Sequence, residues 1–260
     1  MQNSTIVNTL TMPHPSGVSP SGGFPPFDLT RLLGTVFAPT VGCRICVLTD
    51  FENPAEYFTE LRFMKEPGHP VQKKAVDVFL EGLAKGTLQD LGMTGGEIFA
   101  YRTTHGSNLD MEDPCWDVSG NLLSLDRDIY PNYDIILCVT SFSATAPLTA
   151  KAKQFGFRGA TLHGVNDIIL ASGLAVDYRT VSIEAEALRL AMTGADRIDI
   201  DFKLEDGRVV TAHLELGGQE AQKSHGLCHG LSPDVANLPA GEVYFVPHNA
   251  WGHFPMKYED

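Results

Sequence analysis

The sequence predicts an α/β fold: a parallel sheet flanked by helices, followed by the start of a second α+β domain with antiparallel hairpins. Three observations carry this reading. Apolar runs alternate with helix-forming segments between residues 43 and 173, the signature of a parallel sheet with helical crossovers. The run Ile135–Val139 is apolar without interruption, as a strand covered on both faces must be. After residue 178 the pattern changes. Arg197–Lys203 alternates with period two, Asp206-Gly207 reads as a hairpin turn, and Arg208–Leu214 returns.

Each element has a local cause. Residues 1–25, rich in Ser, Pro and Gly, read as a mobile arm. Asp28 offers an N-cap for a short helix over Leu29–Phe37, and Pro39 stops it. Cys43–Thr49 reads as a buried strand closing on Asp50. His69–Leu91 reads as an amphipathic helix with Val71, Ala75, Val78, Phe79 and Leu83 on its apolar stripe. Ile98–Thr103 is a second strand. The polar, acidic stretch 104–132 reads as a solvated insertion with a short helix around Leu122–Leu125. Asp134–Thr140 is the strongest strand, followed by a helix that starts near Pro147 and is closed by Gly156. Gly159–Leu162 is a fourth strand, and Asn166–Ser172 a helix stopped by Gly173. Ser182 is placed to cap the next helix, ended by Gly194. The resulting division is an arm over 1–25, a parallel α/β domain over 26–176, and the first part of a β-rich domain over 177–260.

Composition bounds the function. The chain has 260 residues, 43% hydrophobic, with a net charge of −13 and a pI near 5.0. That is enough apolar material for a packed core. The acidic balance repels phosphate backbones and anionic headgroups, so neither nucleic acid nor a membrane surface is expected as a partner. No apolar run is long enough to span a bilayer, and Met1–Leu10 lacks the pattern of a secretion signal. The expectation is a cytoplasmic protein. The cysteines, five in number and irregularly spaced, do not suggest a disulfide framework. Cys43 and Cys46 have metal-site spacing, but residues three apart on a strand face opposite sides, so both read as buried strand residues.

Candidate site residues follow from position. Asp50 lies at a strand's carboxyl end, where ligands of open parallel sheets gather; it either serves a ligand or caps the next turn. Ser141–Pro147, leading into a helix, offers hydroxyls to an anion but lacks phosphate-loop glycines. His163 follows a strand and is either site-lining or structural. His225 and His229 have the four-residue spacing of a zinc pair on a helix, but Gly226 and Gly230 oppose a helix there. In the stretch 237–247, a turn of Asn, Pro and Gly delivers Glu242 onto the start of an apolar strand. Glu242 is either an edge carboxylate in water or a hard oxygen ligand for a divalent cation.

The run Asn237-Leu238-Pro239-Ala240-Gly241-Glu242-Val243-Tyr244-Phe245-Val246-Pro247 resembles the Asn-Leu-Pro-x-Gly-Glu-Val-Phe-x-x-Pro segment of the dimetal aminopeptidases of the aminopeptidase T and aminopeptidase S group. Ser141–Thr145, Ser172–Tyr178 and the Asp206-Gly207 hairpin are similar to the same family, over roughly residues 130 to 247. Gly173–Tyr178 resembles at least as well the iron-dependent 2,5-dihydroxypyridine dioxygenases of the same superfamily. The resemblance implies that Glu242 is a metal ligand, that the cofactor is a divalent metal (zinc, cobalt or iron), and that the protein is a homodimer acting on a small molecule or short peptide. The activity implied is removal of N-terminal residues from peptides by a metal-dependent hydrolase. Two alternatives accompany it: iron(II)-dependent cleavage of a dihydroxypyridine ring, and a non-catalytic small-molecule-binding scaffold. The family's remaining ligands (a second glutamate, two histidines and an aspartate) and its catalytic tyrosine lie well beyond the first glutamate. No residue up to Asp260 matches them. Metal is therefore expected to be weak or absent in this chain alone, which reads as part of a longer protein or as a member lacking the catalytic half. No catalytic residue is assigned.

Overall fold

The computed structural model describes residues 24–256. The arm expected over 1–25 lies outside the described residues except for Phe24 and Pro25.

The centre is a seven-stranded sheet. Its strands in chain order are β1 (Arg44–Phe51), β2 (Thr94–Arg102), β3 (Pro114–Trp116), β4 (Leu122–Ser124), β5 (Ile135–Cys138), β6 (Arg158–Thr161) and, after a long excursion, β10 (Val235–Asn237). Their spatial order is β10-β6-β5-β1-β2-β3-β4. The five strands from β10 to β2 run parallel, and β3 and β4 add an antiparallel hairpin at one edge. The expected parallel sheet is present, and Ile135 pairs on both sides, with Ile45 and with Arg158.

The apolar runs divide by parity into two cores, because successive strand residues face opposite sides. Ile45, Val47 and Phe51 join one cluster; Cys46 and Leu48 join the other. Cys43 and Cys46 fall likewise on opposite sides. Helices cover both faces. On the first lie α1 (Leu29–Phe37) and the helical run 70–90; on the second, α2 (Thr145–Phe155) contributes Leu148 and Ala152. Asp28 caps α1 by accepting from the Arg31 amide, and Ala38 in the left-handed region ends it one residue before Pro39. Gly82 lets α1 approach: a Cβ there would meet Leu29 Cδ2 at 2.7 Å.

Three local expectations change. The helical run 70–90 contains wide, π-type turns over Ala75–Leu80 and Leu83–Thr87. Of the expected stripe Ala75, Phe79 and Leu83 are buried, joined by Gln72 and Val76, while Val71 and Val78 are only half-buried. The short helix expected around Leu122–Leu125 starts later: Asp117 closes a turn by accepting from the Ser119 and Asn121 amides, Leu122–Ser124 pairs with Pro114–Trp116, and a wide helical turn follows over Leu125–Ile129, capped by Ser124. The acidic residues of this insertion hold it together, Asp113 accepting from Ser124 Oγ and the Asp126 amide, and Asp128 from the Ser124 amide. The helix α3 begins at Tyr178, capped by Asp177 rather than Ser182, and runs to Met192.

Beyond α3 come β7 (Arg197–Lys203), β8 (Val209–Glu215) and β12 (Asn249–Gly252), which form a three-stranded antiparallel sheet in the order β12-β8-β7. The hairpin turns at Gly207, whose φ is +84°. A second ribbon pairs β9 (Gln222–Ser224) with β11 (Glu242–Tyr244). Between these two strands the chain returns to the main sheet as β10, which lies parallel to β6.

Candidate functional site

That return creates the site. β10 forms one edge of the sheet, with the N-terminus of α2 on one side and the β9–β11 ribbon on the other. A cleft of about 400 Å³ opens between them, lined by Thr145, Lys223, Ser224, His225, Gly226, Leu227, Asp234, Val235, Ala236, Asn237, Glu242 and Tyr244. Glu242 thus lines a cleft, as the first residue of β11 directly opposite Ser224.

Neighbouring groups orient the polar lining. Thr161 Oγ1 donates to Asn237 Oδ1 (3.2 Å). Having donated its proton there, Thr161 accepts from Thr145 Oγ1 (2.7 Å), which in turn accepts from Ser143 Oγ (3.0 Å). This relay of hydroxyls occupies the Asn237 carbonyl oxygen. The Nδ2 donors are left without an acceptor among the described residues. His225 Nδ1 accepts from the Leu227 amide (3.2 Å), which puts the proton of the neutral ring on Nε2. Burial, and then the Lys223 ammonium, push the His225 pKa down, so the ring is held neutral. Lys223 is itself committed, its Nζ lying 2.7 Å from Glu186. The cleft therefore presents two carboxylates, Asp234 and Glu242, against one lysine already paired elsewhere.

The remaining candidates lie apart. Asp50 is 1% exposed at the point where strand order reverses between β1 and β5. It accepts from the Ser141 amide (2.8 Å), Ser141 Oγ, Gln72 Nε2 and Thr103 Oγ1 (3.0 Å). Its carboxylate ties two loops together and is fully used in doing so. His163 is exposed beyond β6. His225 and His229 do not share a site, since His229 Nε2 donates to Thr35 O at the end of α1 (2.7 Å). Gly226 between them and Gly230 after them both take positive φ, so no helix forms there. Of the Ser141–Pro147 loop, Thr145 reaches the cleft. Sequence reasoning missed Asn237, Asp234 and Lys223 as lining residues, although Asn237 stands in the quoted motif. Among the described residues no group of three or more His, Cys, Asp or Glu is arranged to hold a metal ion. Glu242 alone does not make a metal centre, for which about three protein ligands are needed.

Comparison with known proteins adds little. No protein-family model matches the chain, and no curated protein matches it. One solved structure that resembles it is the 2,5-dihydroxypyridine dioxygenase of Pseudomonas putida KT2440, with 13% identity and a TM-score of 0.41. The likeness covers 79% of this chain and 51% of that one, so the chain spans about half the length of its structural neighbour. At that level of similarity, the function is read from the cleft itself. No helix among the described residues is long and apolar enough to cross a membrane.

Proposed function

We propose that the chain binds a small molecule carrying a cationic amine in the cleft between β10 and the β9–β11 ribbon. The observation that supports this reading is the charge of the lining: Asp234 and Glu242 share it with a neutral His225 and a lysine ion-paired to Glu186. An ammonium there gains charge-assisted hydrogen bonds. Leu227, Val235 and Ala236 offer apolar surface beside it. Two finer readings belong to the whole protein: removal of N-terminal residues from peptides by a divalent-metal hydrolase, and iron-dependent cleavage of a dihydroxypyridine ring. Both need a metal centre, and the residues present do not fit one, so no step is derived through a metal. Self-association is proposed alongside, because β7 and β12 are edge strands with no further strand paired to them among the described residues; sedimentation showing a monomer at micromolar concentration would count against it.

Calorimetric titration with leucine amide, its N-acetyl derivative and 2,5-dihydroxypyridine tests the proposal. Leucine amide is expected to bind and the acetylated form not to. Glu242→Gln should weaken binding about tenfold, the worth of one charge-assisted hydrogen bond, with an unchanged unfolding midpoint because Glu242 is exposed. Equal binding of the acetylated compound would refute the amine assignment. Binding of the pyridine in place of the amine would move the reading to the ring-cleaving class.

A further inference from the structure

Arg158 and Asp50 are the two charged residues that lie buried among the described residues. Asp50 is saturated with donors, whereas Arg158 is not saturated with acceptors. It sits at the start of β6, 6% exposed, and Nη1 donates to Phe37 O (2.6 Å) and to Cys228 O (2.9 Å). Both acceptors are main-chain carbonyls, and no carboxylate among the described residues lies within ion-pair distance. The carbonyl at the end of α1 offsets part of the buried charge, since a helix C-terminus is its negative pole.

The other edge of the guanidinium, Nε–H and Nη2–H, has no carbonyl or carboxylate acceptor among the described residues, and the Cys43 thiol beside the guanidinium offers only a weak sulfur acceptor. Neither nitrogen is among the fully enclosed unsatisfied atoms, Thr49 Oγ1 and Tyr130 Oη. Arg158 lines a cleft of about 290 Å³ with Thr40, Val41, Gly42, Cys43, Asp134, Gly156 and Leu231. This cleft lies at the amino-terminal edge of the sheet and shares no lining residue with the first. Gly42 and Gly156 keep it open: a Cβ built on either meets nothing within 4 Å. Burial and the neighbouring Asp134 push the Cys43 thiol up, so Cys43 adds no negative charge.

We propose that this second cleft is a binding site for a small monocarboxylate, held side-on by Nε and Nη2 of Arg158. The parallel donors of that edge match the two oxygens of a carboxylate. An unpaired buried cation is costly, and such a ligand supplies the missing counter-charge. Asp134 in the same lining selects against more highly charged anions, phosphate among them.

Acetate is the probe, titrated into the full chain at constant ionic strength with chloride as the balancing anion, and phosphate is titrated in parallel. The readout is the nitrogen-15 and proton shift of the Arg158 Nε–H group. A saturable shift with half-saturation in the low millimolar range is expected, with phosphate weaker. Leu231→Glu, at an exposed position on the rim, should weaken acetate about fivefold by like-charge repulsion. Arg158→Lys, which keeps the charge but loses the fork, should weaken it about tenfold. If Arg158→Lys does not fold, the Leu231→Glu titration decides. No saturable shift up to roughly 50 mM acetate, well above the millimolar range expected, or the same affinity in Leu231→Glu, would overturn the proposal. Phosphate binding as tightly as acetate would overturn the monocarboxylate assignment.

Discussion

Gly226→Ala is the sharpest test of how the cleft is held. Gly226 lies buried in the cleft wall with φ +76°. A Cβ there would stand 2.4 Å from Tyr178 Cδ1, 2.7 Å from Cε1 and 3.1 Å from Ala240 Cβ. Tyr178 cannot swing away without loss. It is 0% exposed, its hydroxyl donates to Gly173 O (2.8 Å) and accepts from the Ala240 amide (3.4 Å), and so it joins α3 to the turn before Glu242. The left-handed backbone costs an alanine about 1–2 kcal/mol, and overpacking a filled site adds about 1–3 kcal/mol. The expected loss is about 2–5 kcal/mol. Gly230→Ala supplies the control, because Gly230 has φ +83° but nothing within 4 Å of a built Cβ, so it should lose the backbone part alone. Urea unfolding of both variants measures the difference, which isolates the clash with Tyr178. A Gly226→Ala loss no larger than that of Gly230→Ala would refute the reasoning, and with it the role of Tyr178 in setting the position of Glu242.

Two further outcomes are expected. Thr49 Oγ1 is fully buried and has no hydrogen-bond partner among the described residues, so Thr49→Val should stabilise the protein by about 1 kcal/mol in the same unfolding assay; a loss of stability would mean that the hydroxyl has a partner. The Arg189 and Lys223 cations beside Glu186 hold its carboxyl down, from 4.5 to about 2. Because the folded pKa is depressed, the stability this group contributes is fully present above about pH 4.5 and is lost as the pH falls toward about 2. Glu186→Gln should therefore flatten the stability profile across that acid window and leave its slope at neutral pH unchanged, as an acid titration of the unfolding midpoint would show.

By itself, the sequence determined the parallel sheet, because uninterrupted apolar runs are stable only where both faces are covered. It also determined the cap at Asp28, the glycine turns at Gly156 and Gly207, and the opposite facing of Cys43 and Cys46, all of which depend on near neighbours. The helix expected around Leu122–Leu125 is displaced to Leu125–Ile129, because a side-chain turn at Asp117 and pairing with β3 outweighed local propensity over Leu122–Ser124. Glu242 was legible as a carboxylate delivered by a turn. Its companions were not. Thr145, His225, Asn237 and Glu242 are spread over nearly a hundred residues of sequence, and they meet only because β10 returns to the sheet edge between the two strands of a separate ribbon. The buried Arg158 was equally hidden, since its burial and its lack of a carboxylate partner among the described residues are properties of the packed chain. Periodicity reports which face a residue takes within its own element; which elements come together is settled by long-range pairing, and it was that pairing which placed both clefts.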